Sequence, residues 1–202
     1  MKMKAILVAL CVSLLLTACG GAGIGTSSGP GKLTFKFKMM GNDVTKELTV
    51  KQGSVFVNDI VPKPGSSVKI MDYFINLANY DFDPKKSSEA YPKKDGDILI
   101  VIQVLGDKDA TEKTPIKAGD YPASQAVDGE SVFGKAWHMQ IRYFDEGRIK
   151  ESYIDASYPK GTRKGSVKIN PIAGDALSGE VDISDDNGSL KGTFTGKLDQ
   201  KQ

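Results

Sequence analysis

Hydrophobic and polar residues alternate along most of the chain from residue 32 onward, and this pattern predicts β-strands. Leu33, Phe35 and Phe37 alternate with threonine and lysine residues, so a strand here would have one apolar and one cationic face. Residues 98–105 (ILIVIQVL) are almost continuously apolar, which is typical of a central strand buried on both faces.

The same pattern predicts most of the remaining strands and the turns between them. The predicted strands cover residues 32–39, 54–60, 68–77, 98–105, 135–144, 149–156, 166–172, 177–184 and 190–198. Residues 185–188 (DDNG) predict a hairpin turn, because Asn-Gly adopts positive φ angles at low cost. Glu146-Gly147 predicts another turn, whereas residues 78–94 are expected to hold a helical turn or a long loop.

The predicted elements indicate an all-β fold. No segment shows a helical repeat of ten or more residues, and short strands follow one another at regular spacing. We therefore expect an antiparallel β-sandwich, with a closed or partly open β-barrel as the alternative.

The first residues follow a different pattern. Lys2 and Lys4 precede an apolar stretch at residues 6–16 that only Ser13 interrupts, and this arrangement is typical of a secretion signal. The stretch is too short for a transmembrane helix, which needs about 20 apolar residues. It ends in the sequence Leu-Thr-Ala-Cys, with the cysteine at position 19.

This ending resembles the lipobox of bacterial lipoproteins. The resemblance implies cleavage before Cys19, lipidation of Cys19 and attachment of the protein to a membrane of the bacterial envelope. Because Gly20 follows the cysteine, the resemblance also implies the outer membrane in an organism that has one. A plain secretory signal and an N-terminal anchor helix are the alternatives.

The chain is expected to have three parts. Residues 1–18 would be the signal peptide, residues 19–31 the lipidated cysteine with a flexible Gly/Ser linker, and residues 32–202 a single β-rich domain. The full chain has 27 Lys+Arg and 25 Asp+Glu residues. Removal of Lys2 and Lys4 leaves 25 of each sign, so the mature protein would be neutral and we expect no nucleic-acid partner.

Several aromatic residues are candidates for ligand binding. Tyr91, Tyr121 and Tyr158 each precede a proline, and exposed tyrosines together with Trp137 would form a platform for a sugar or a peptide. The alternative is a local loop device, because proline restricts the preceding residue to extended conformations. Trp137 is expected to share one strand face with Met139, while the single histidine, His138, faces the other way.

Three Asp-x-Asp pairs occur, at 81/83, 95/97 and 107/109, and the first two pairs are the candidates for calcium binding. Asp81 with Asp83, and Asp95 with Asp97, would project to the same side of an extended chain. Such pairs suit calcium, which takes six to eight oxygen ligands, or the acid and base of a glycoside hydrolase. The alternative is that they are solvated turn residues whose charge neighbouring lysines offset.

These observations favour a membrane-anchored envelope lipoprotein that acts as a non-catalytic binding or scaffolding module for a protein or polysaccharide partner. No cofactor is expected. A glycan-active enzyme that uses carboxylates and a calcium-dependent adhesion module are the alternatives.

Overall fold

The computed structural model describes residues 30–60, 69–83, 86, 90–124, 133–155 and 163–198, so the predicted signal peptide, Cys19 and Tyr158 lie outside the described residues. The described residues form eleven strands and contain no helix long and apolar enough to cross a bilayer. The strands are β1 (Lys32–Met39), β2 (Asn42–Thr49), β3 (Gln52–Ile60), β4 (Ile70–Ala78), β5 (Ile98–Leu105), β6 (Gly119–Pro122), β7 (Ala136–Asp145), β8 (Arg148–Asp155), β9 (Lys164–Ile169), β10 (Ala176–Ser184) and β11 (Gly188–Leu198).

The strands form one mixed sheet in the order β6-β9-β10-β11-β3-β4-β5-β7-β8, with β1 paired to β11 and β2 paired to β1. The pairings of the described strands are antiparallel except that of β11 with β3, where Lys197 lies opposite Ser54. We divide the sheet at the two-residue pairing of β11 with β3, so that the first leaf comprises β2, β1, β11, β10, β9 and β6, and the second comprises β3, β4, β5, β7 and β8. The described sheet does not close into a barrel, and the all-β, sandwich-like fold predicted from the sequence is confirmed.

The hydrophobic core lies between the two leaves. Phe37 of the first leaf packs against Tyr143 of the second, with 5.9 Å between ring centroids. The Tyr143 hydroxyl donates to the Met39 sulfur at 3.4 Å, and the Lys46 ammonium lies 4.4 Å from the Tyr143 ring centroid. The largest fully buried side chains are Tyr73, Phe35, Phe194, Leu33, Leu48, Ile70, Ile75, Leu77, Leu99, Ile100, Ile102 and Leu105.

Strand β5 is buried along its whole length, as its apolar sequence predicts. Ile100 and Ile102 face the core between the leaves. On the other side of the strand, Leu99 and Val101 pack under Tyr80 and other aromatic residues of β4 and residues 79–97. The part of the outer face of the second leaf around Leu99 and Val101 is therefore apolar, and described residues of the segment between β4 and β5 cover it.

The outer face of the first leaf is polar. Buried and exposed positions alternate along β1 and β10, and the exposed positions hold Lys32, Lys36, Glu180 and Asp182. Lys191 of β11 lies opposite Asp182 of β10 and Thr34 of β1, so it belongs to the same exposed face. This leaf presents one hydrophilic surface, whereas the second leaf presents aromatic and polar side chains together.

The predicted turns at residues 146–147 and 185–188 both connect adjacent strands. Glu146 and Gly147 have φ angles of 53° and 75°, which suit a two-residue hairpin turn. In the second turn, neither Asn187 nor Gly188 has a positive φ. The Asp185 carboxylate instead accepts the backbone N–H groups of Asn187 at 2.7 Å and Gly188 at 2.8 Å. The hairpin is confirmed, but the expected backbone conformation is wrong.

Strands β2 and β6 are not among the predicted strands. In β2 only Leu48 is fully buried and Val44 is partly buried, because Lys46 occupies the position between them and covers Tyr143. A strand at the edge of a sheet needs few apolar residues, so its pattern is weak.

The chain enters β1 through a close backbone contact. The Gly31 carbonyl accepts the backbone N–H of Val50 at 2.8 Å. A Cβ at Gly31 would lie 2.5 Å from the Cα of Phe194, so only glycine fits this position without a shift. The start of the described chain is therefore fixed against β2 and β11.

Candidate functional site

A β-bulge sets the directions of the side chains in β7. Gln103 lies opposite His138 and Val104 lies opposite Ala136, so Trp137 is the extra residue. The bulge places Ala136 and Met139 in the core, whereas Trp137 packs outside with Ile70 and Leu105. The prediction that Trp137 and Met139 share a face is wrong.

The bulged Trp137 lies beside a buried carboxyl group of β4. Asp72 is 0% exposed, and its carboxylate oxygens have no hydrogen-bond partner among the described residues. Burial raises the pKa of Asp72 to about 7, and the nearby Trp137 indole partly opposes this shift without completing a hydrogen bond. This part of the outer face therefore contains an ionisable group in an apolar setting.

A row of polar and aromatic side chains follows β7 and β8 on the same outer face. Gln140 lies opposite Tyr153, and Arg142 lies opposite Glu151. With His138, these residues form what we call the β7–β8 strip. Residues two apart along a strand point to the same side, so the strip is a direct result of the register.

Hydrogen bonds and an ion pair hold the strip in one arrangement. Gln140 is only 5% exposed, and its amide donates to the Tyr153 hydroxyl at 3.0 Å and to Glu151 Oε2 at 3.3 Å. The Tyr153 hydroxyl donates to the same carboxylate. Arg142 Nε lies 3.0 Å from Glu151 Oε1 as an ion pair. Because each polar group positions the next, the strip is preorganised.

Aromatic rings flank this polar network. The His138 ring centroid lies 5.4 Å from that of Tyr153 and 5.8 Å from that of Trp137. At the other end, the Arg142 guanidinium lies 4.6 Å from the centroid of Tyr91. Tyr91 is 40% exposed and Tyr153 is 42% exposed. The structure thus places two of the sequence-predicted candidates, Tyr91 and Trp137, at the two ends of the strip.

The ion pair of the strip is formally neutral. Arg142 carries one positive charge and Glu151 one negative charge, and the two are paired. Burial, together with the hydrogen bond to Glu151, raises the pKa of Tyr153, so its hydroxyl keeps its proton at neutral pH. The strip therefore offers N–H and O–H donors and carboxylate and hydroxyl acceptors within a small area.

A cleft of about 870 Å³ adjoins the strip at Tyr91. It lies over the segment between β4 and β5 and includes all four candidate aspartates. Its lining residues are Lys51, Asn79, Tyr80, Asp81, Phe82, Asp83, Lys86, Ala90, Tyr91, Lys93, Lys94, Asp95, Gly96 and Asp97. We call it the 79–97 cleft.

Side-chain hydrogen bonds fix the walls of the 79–97 cleft to the sheet. Gln52 donates its amide to the Phe82 carbonyl at 2.5 Å and accepts the Phe82 N–H at 3.1 Å. Asn79 donates to the Gly96 carbonyl at 2.8 Å and accepts the Ile98 N–H at 2.8 Å. These paired contacts fix Phe82 and Asn79 to the neighbouring strands, and the described residues of this segment contain no strand.

Asp81 and Asp97 have structural contacts. Asp81 forms an ion pair with Lys51 at 2.6 Å. Asp97 is 7% exposed and accepts the backbone N–H groups of Lys93 at 3.0 Å and Lys94 at 3.2 Å. Within the described ranges, no group of three or more His, Cys, Asp or Glu side chains is arranged to hold a metal ion. Calcium binding stays a prediction from the sequence.

Tyr121 lies apart from this surface. It is 7% exposed in the core between the leaves, and its hydroxyl donates to the Lys117 carbonyl at 2.9 Å. Burial raises its pKa. The third tyrosine of the predicted platform, Tyr158, lies outside the described residues.

The strip includes residues that were not among the sequence candidates, chiefly Tyr153 and Glu151. The signal for them was present in the two-residue turn at 146–147, which pairs Asp145 with Arg148. Counting outward from that pair places Tyr153 opposite Gln140.

Comparison of the chain with family models, curated proteins and solved structures gave no match. Its function must therefore be inferred from the residues of the strip and the cleft.

Proposed function

We propose that the protein is a membrane-anchored envelope lipoprotein whose β domain is a non-catalytic binding module, and that the β7–β8 strip with the 79–97 cleft is its binding surface. The observation that carries this proposal is the preorganised network of Gln140, Arg142, Glu151 and Tyr153 beside the exposed ring of Tyr91. Fixed polar groups next to exposed aromatic rings are the usual components of a binding site.

The energetic reason is the low cost of ordering this surface. The Tyr153 ring is held by hydrogen bonds to Gln140 and Glu151 before any partner arrives. The Tyr91 ring is held against Arg142. A ligand therefore does not lose binding free energy to immobilise these side chains, and rigid tyrosines supply a large contact area.

A binding role also fits the way in which the carboxylates are used. Glu151 already accepts two hydrogen bonds and pairs with Arg142, so its oxygens position neighbouring side chains. Asp97 holds two backbone N–H groups, and Asp81 is paired with Lys51. These contacts show the carboxylates holding neighbouring groups in place, which suits a rigid binding surface better than a pair of catalytic carboxylates.

The membrane anchor rests on the lipobox resemblance at Cys19. Because Gly31 is fixed to the sheet, the expected linker is residues 20–30, which would have an end-to-end distance of about 20 Å as a flexible Gly-rich chain. Such a tether would keep the domain close to the bilayer and still let it turn toward a partner.

Two comparisons test the proposal in bacteria that express the full chain. With an alkyne analogue of palmitate, the wild-type protein should be labelled and recovered with membranes, whereas Cys19→Ser should be unlabelled and released. Equal labelling of both proteins, or of neither, would contradict the anchor.

The binding surface is tested by crosslinking followed by purification of the protein. The wild type should recover a polysaccharide or protein partner that Tyr91→Ala/Tyr153→Ala does not recover. Lys36→Ala, on the exposed face of the first leaf, is the matched control and should behave like the wild type. Recovery of the same material by all three proteins, or of none by the wild type, would rule out this surface as the binding site.

A further inference from the structure

The β7–β8 strip places an ion pair between two exposed aromatic rings. Protein interfaces are also enriched in tyrosine, tryptophan and arginine, but glutamate is depleted there and the centre is apolar. Here the ion pair of Arg142 and Glu151 links the exposed rings of Tyr91, which lies against Arg142, and Tyr153, which bonds to Glu151. The ligand should therefore be polar where it meets the centre and apolar where it meets the rings.

We propose that the ligand of the strip is a neutral polysaccharide, whose sugar rings stack on Tyr91 and Tyr153 while their hydroxyls bond to Arg142 and Glu151. This inference rests on the binding role proposed above and names the class of partner. Sugar rings combine an apolar C–H face with hydroxyls at the edge, which matches an aromatic ring beside fixed polar groups.

The hydrogen-bonding groups suit a ligand that both donates and accepts. The Arg142 guanidinium supplies N–H donors, the Glu151 carboxylate supplies acceptors, and the Tyr153 hydroxyl can do both. Every hydroxyl of a sugar is likewise both a donor and an acceptor. Each group of the strip is already oriented by a neighbour, so it can meet a hydroxyl in a fixed direction.

The charges favour a neutral polymer over an acidic one. The strip pairs one cation with one anion, so its centre offers no net charge. Among the described residues, four lysines and four aspartates line the adjoining cleft, and their formal charges also cancel. An acidic polysaccharide would meet as many like charges as opposite charges along this path.

The extent of the surface favours a chain over a single sugar. Arg142 and Gln140 are two residues apart on β7, which is about 7 Å along a strand. The aromatic row continues past His138 to Trp137, and at the other end Tyr91 also lines the 79–97 cleft. Several consecutive sugars would be needed to occupy this path.

Affinity electrophoresis of the full-length processed protein in a mild detergent tests the inference. The gels would contain soluble neutral polymers, namely a β-glucan, an α-glucan, a galactomannan and neutral polysaccharide extracted from the expressing cells; pectate would be the acidic comparison. At least one neutral polymer should slow the wild type. Tyr91→Ala and Tyr153→Ala should each weaken this binding about tenfold, as expected for loss of one aromatic anchor.

Two further variants make the result specific. Arg142→Lys keeps the charge but loses the planar guanidinium that lies on Tyr91, and should also weaken binding. Lys36→Ala should migrate like the wild type. Thermal unfolding of each variant separates loss of binding from loss of folding.

The outcomes distinguish this inference from the proposal on which it depends. If no neutral polymer slows the protein, or if retardation is unchanged in Tyr91→Ala and Tyr153→Ala, the polysaccharide assignment is wrong. If the crosslinking experiment then recovers a protein partner that requires both tyrosines, the binding role stands with a different ligand. Retardation by pectate alone would indicate charge binding and also overturn the assignment.

Discussion

Replacing Asp72 with asparagine tests the account of the outer face of the second leaf. The Asp72 side chain is 0% exposed, and no described residue forms a hydrogen bond with its carboxylate oxygens. Burial raises its pKa from 3.8 to about 7, although the Trp137 indole opposes the shift. One pH unit of difference between the folded and unfolded pKa corresponds to about 1.4 kcal/mol, so the change amounts to about 4 kcal/mol.

The sign follows from the order in which the two states lose the proton. Below pH 3.8 the Asp72 carboxyl is protonated in both the folded and the unfolded chain. Between pH 3.8 and about 7 the unfolded chain has released the proton and the folded chain retains it, so the free energy of unfolding falls as the pH rises. Above that range the full penalty of about 4 kcal/mol remains. Asparagine cannot ionise, so Asp72→Asn lacks this loss.

Urea denaturation of both proteins at about pH 4 and pH 8 measures the effect. Between these two conditions the wild type should lose about 4 kcal/mol more stability than Asp72→Asn, because the other titrating groups contribute to both proteins alike. Asp59→Asn is the matched control. Its carboxylate pairs with Lys69 at 2.8 Å, which lowers the Asp59 pKa, so its stabilisation is lost as the pH falls and the sign is opposite. Parallel curves for the wild type and Asp72→Asn would refute the reasoning.

Two further substitutions test the packing of the first leaf. Gly165→Ala should cost at least about 3 kcal/mol of unfolding free energy, because φ is +96° and a Cβ would lie 1.7 Å from the Asp182 carbonyl oxygen. Gly147→Ala, also at positive φ but with nothing within 4 Å, should cost only about 1–2 kcal/mol, and equal losses in urea would contradict the steric argument. Phe194→Ala should lower the free energy of unfolding by about 3–5 kcal/mol, because the Phe194 ring is 0% exposed. Met40→Ala, at a 94% exposed position, should leave the midpoint of thermal unfolding unchanged. Similar midpoints for the two variants would place Phe194 outside the core.

Much of the fold was predictable because its strands follow simple patterns. The β5 sequence had to be buried on both faces, and its eight residues are buried. Strand β2 escaped prediction because Lys46 covers Tyr143 from a position that an apolar residue usually fills. Local composition does not show that a lysine stem lies against an aromatic ring of a distant strand.

The candidate site was predictable only in part. Tyr91 and Trp137 stood out as aromatic residues, but their relation depends on contacts across the sheet. The bulge at Trp137 depends on pairing with β5, which the sequence of β7 alone does not specify. The pairing of Tyr153 with Gln140 is different, because the turn at 146–147 specifies it once its two-residue length is recognised.

The close contact at Gly31 has a mechanical consequence for a domain tethered through its N-terminus. Tension on the tether would reach β1 directly, because Gly31 lies against the backbone of Phe194 and leaves no slack before the strand. Strand β1 is paired on one side with β2 and on the other with β11, so two ladders would share the load. In the proposed membrane-anchored form, a pulling force on the N-terminus would therefore load both ladders of β1 at once.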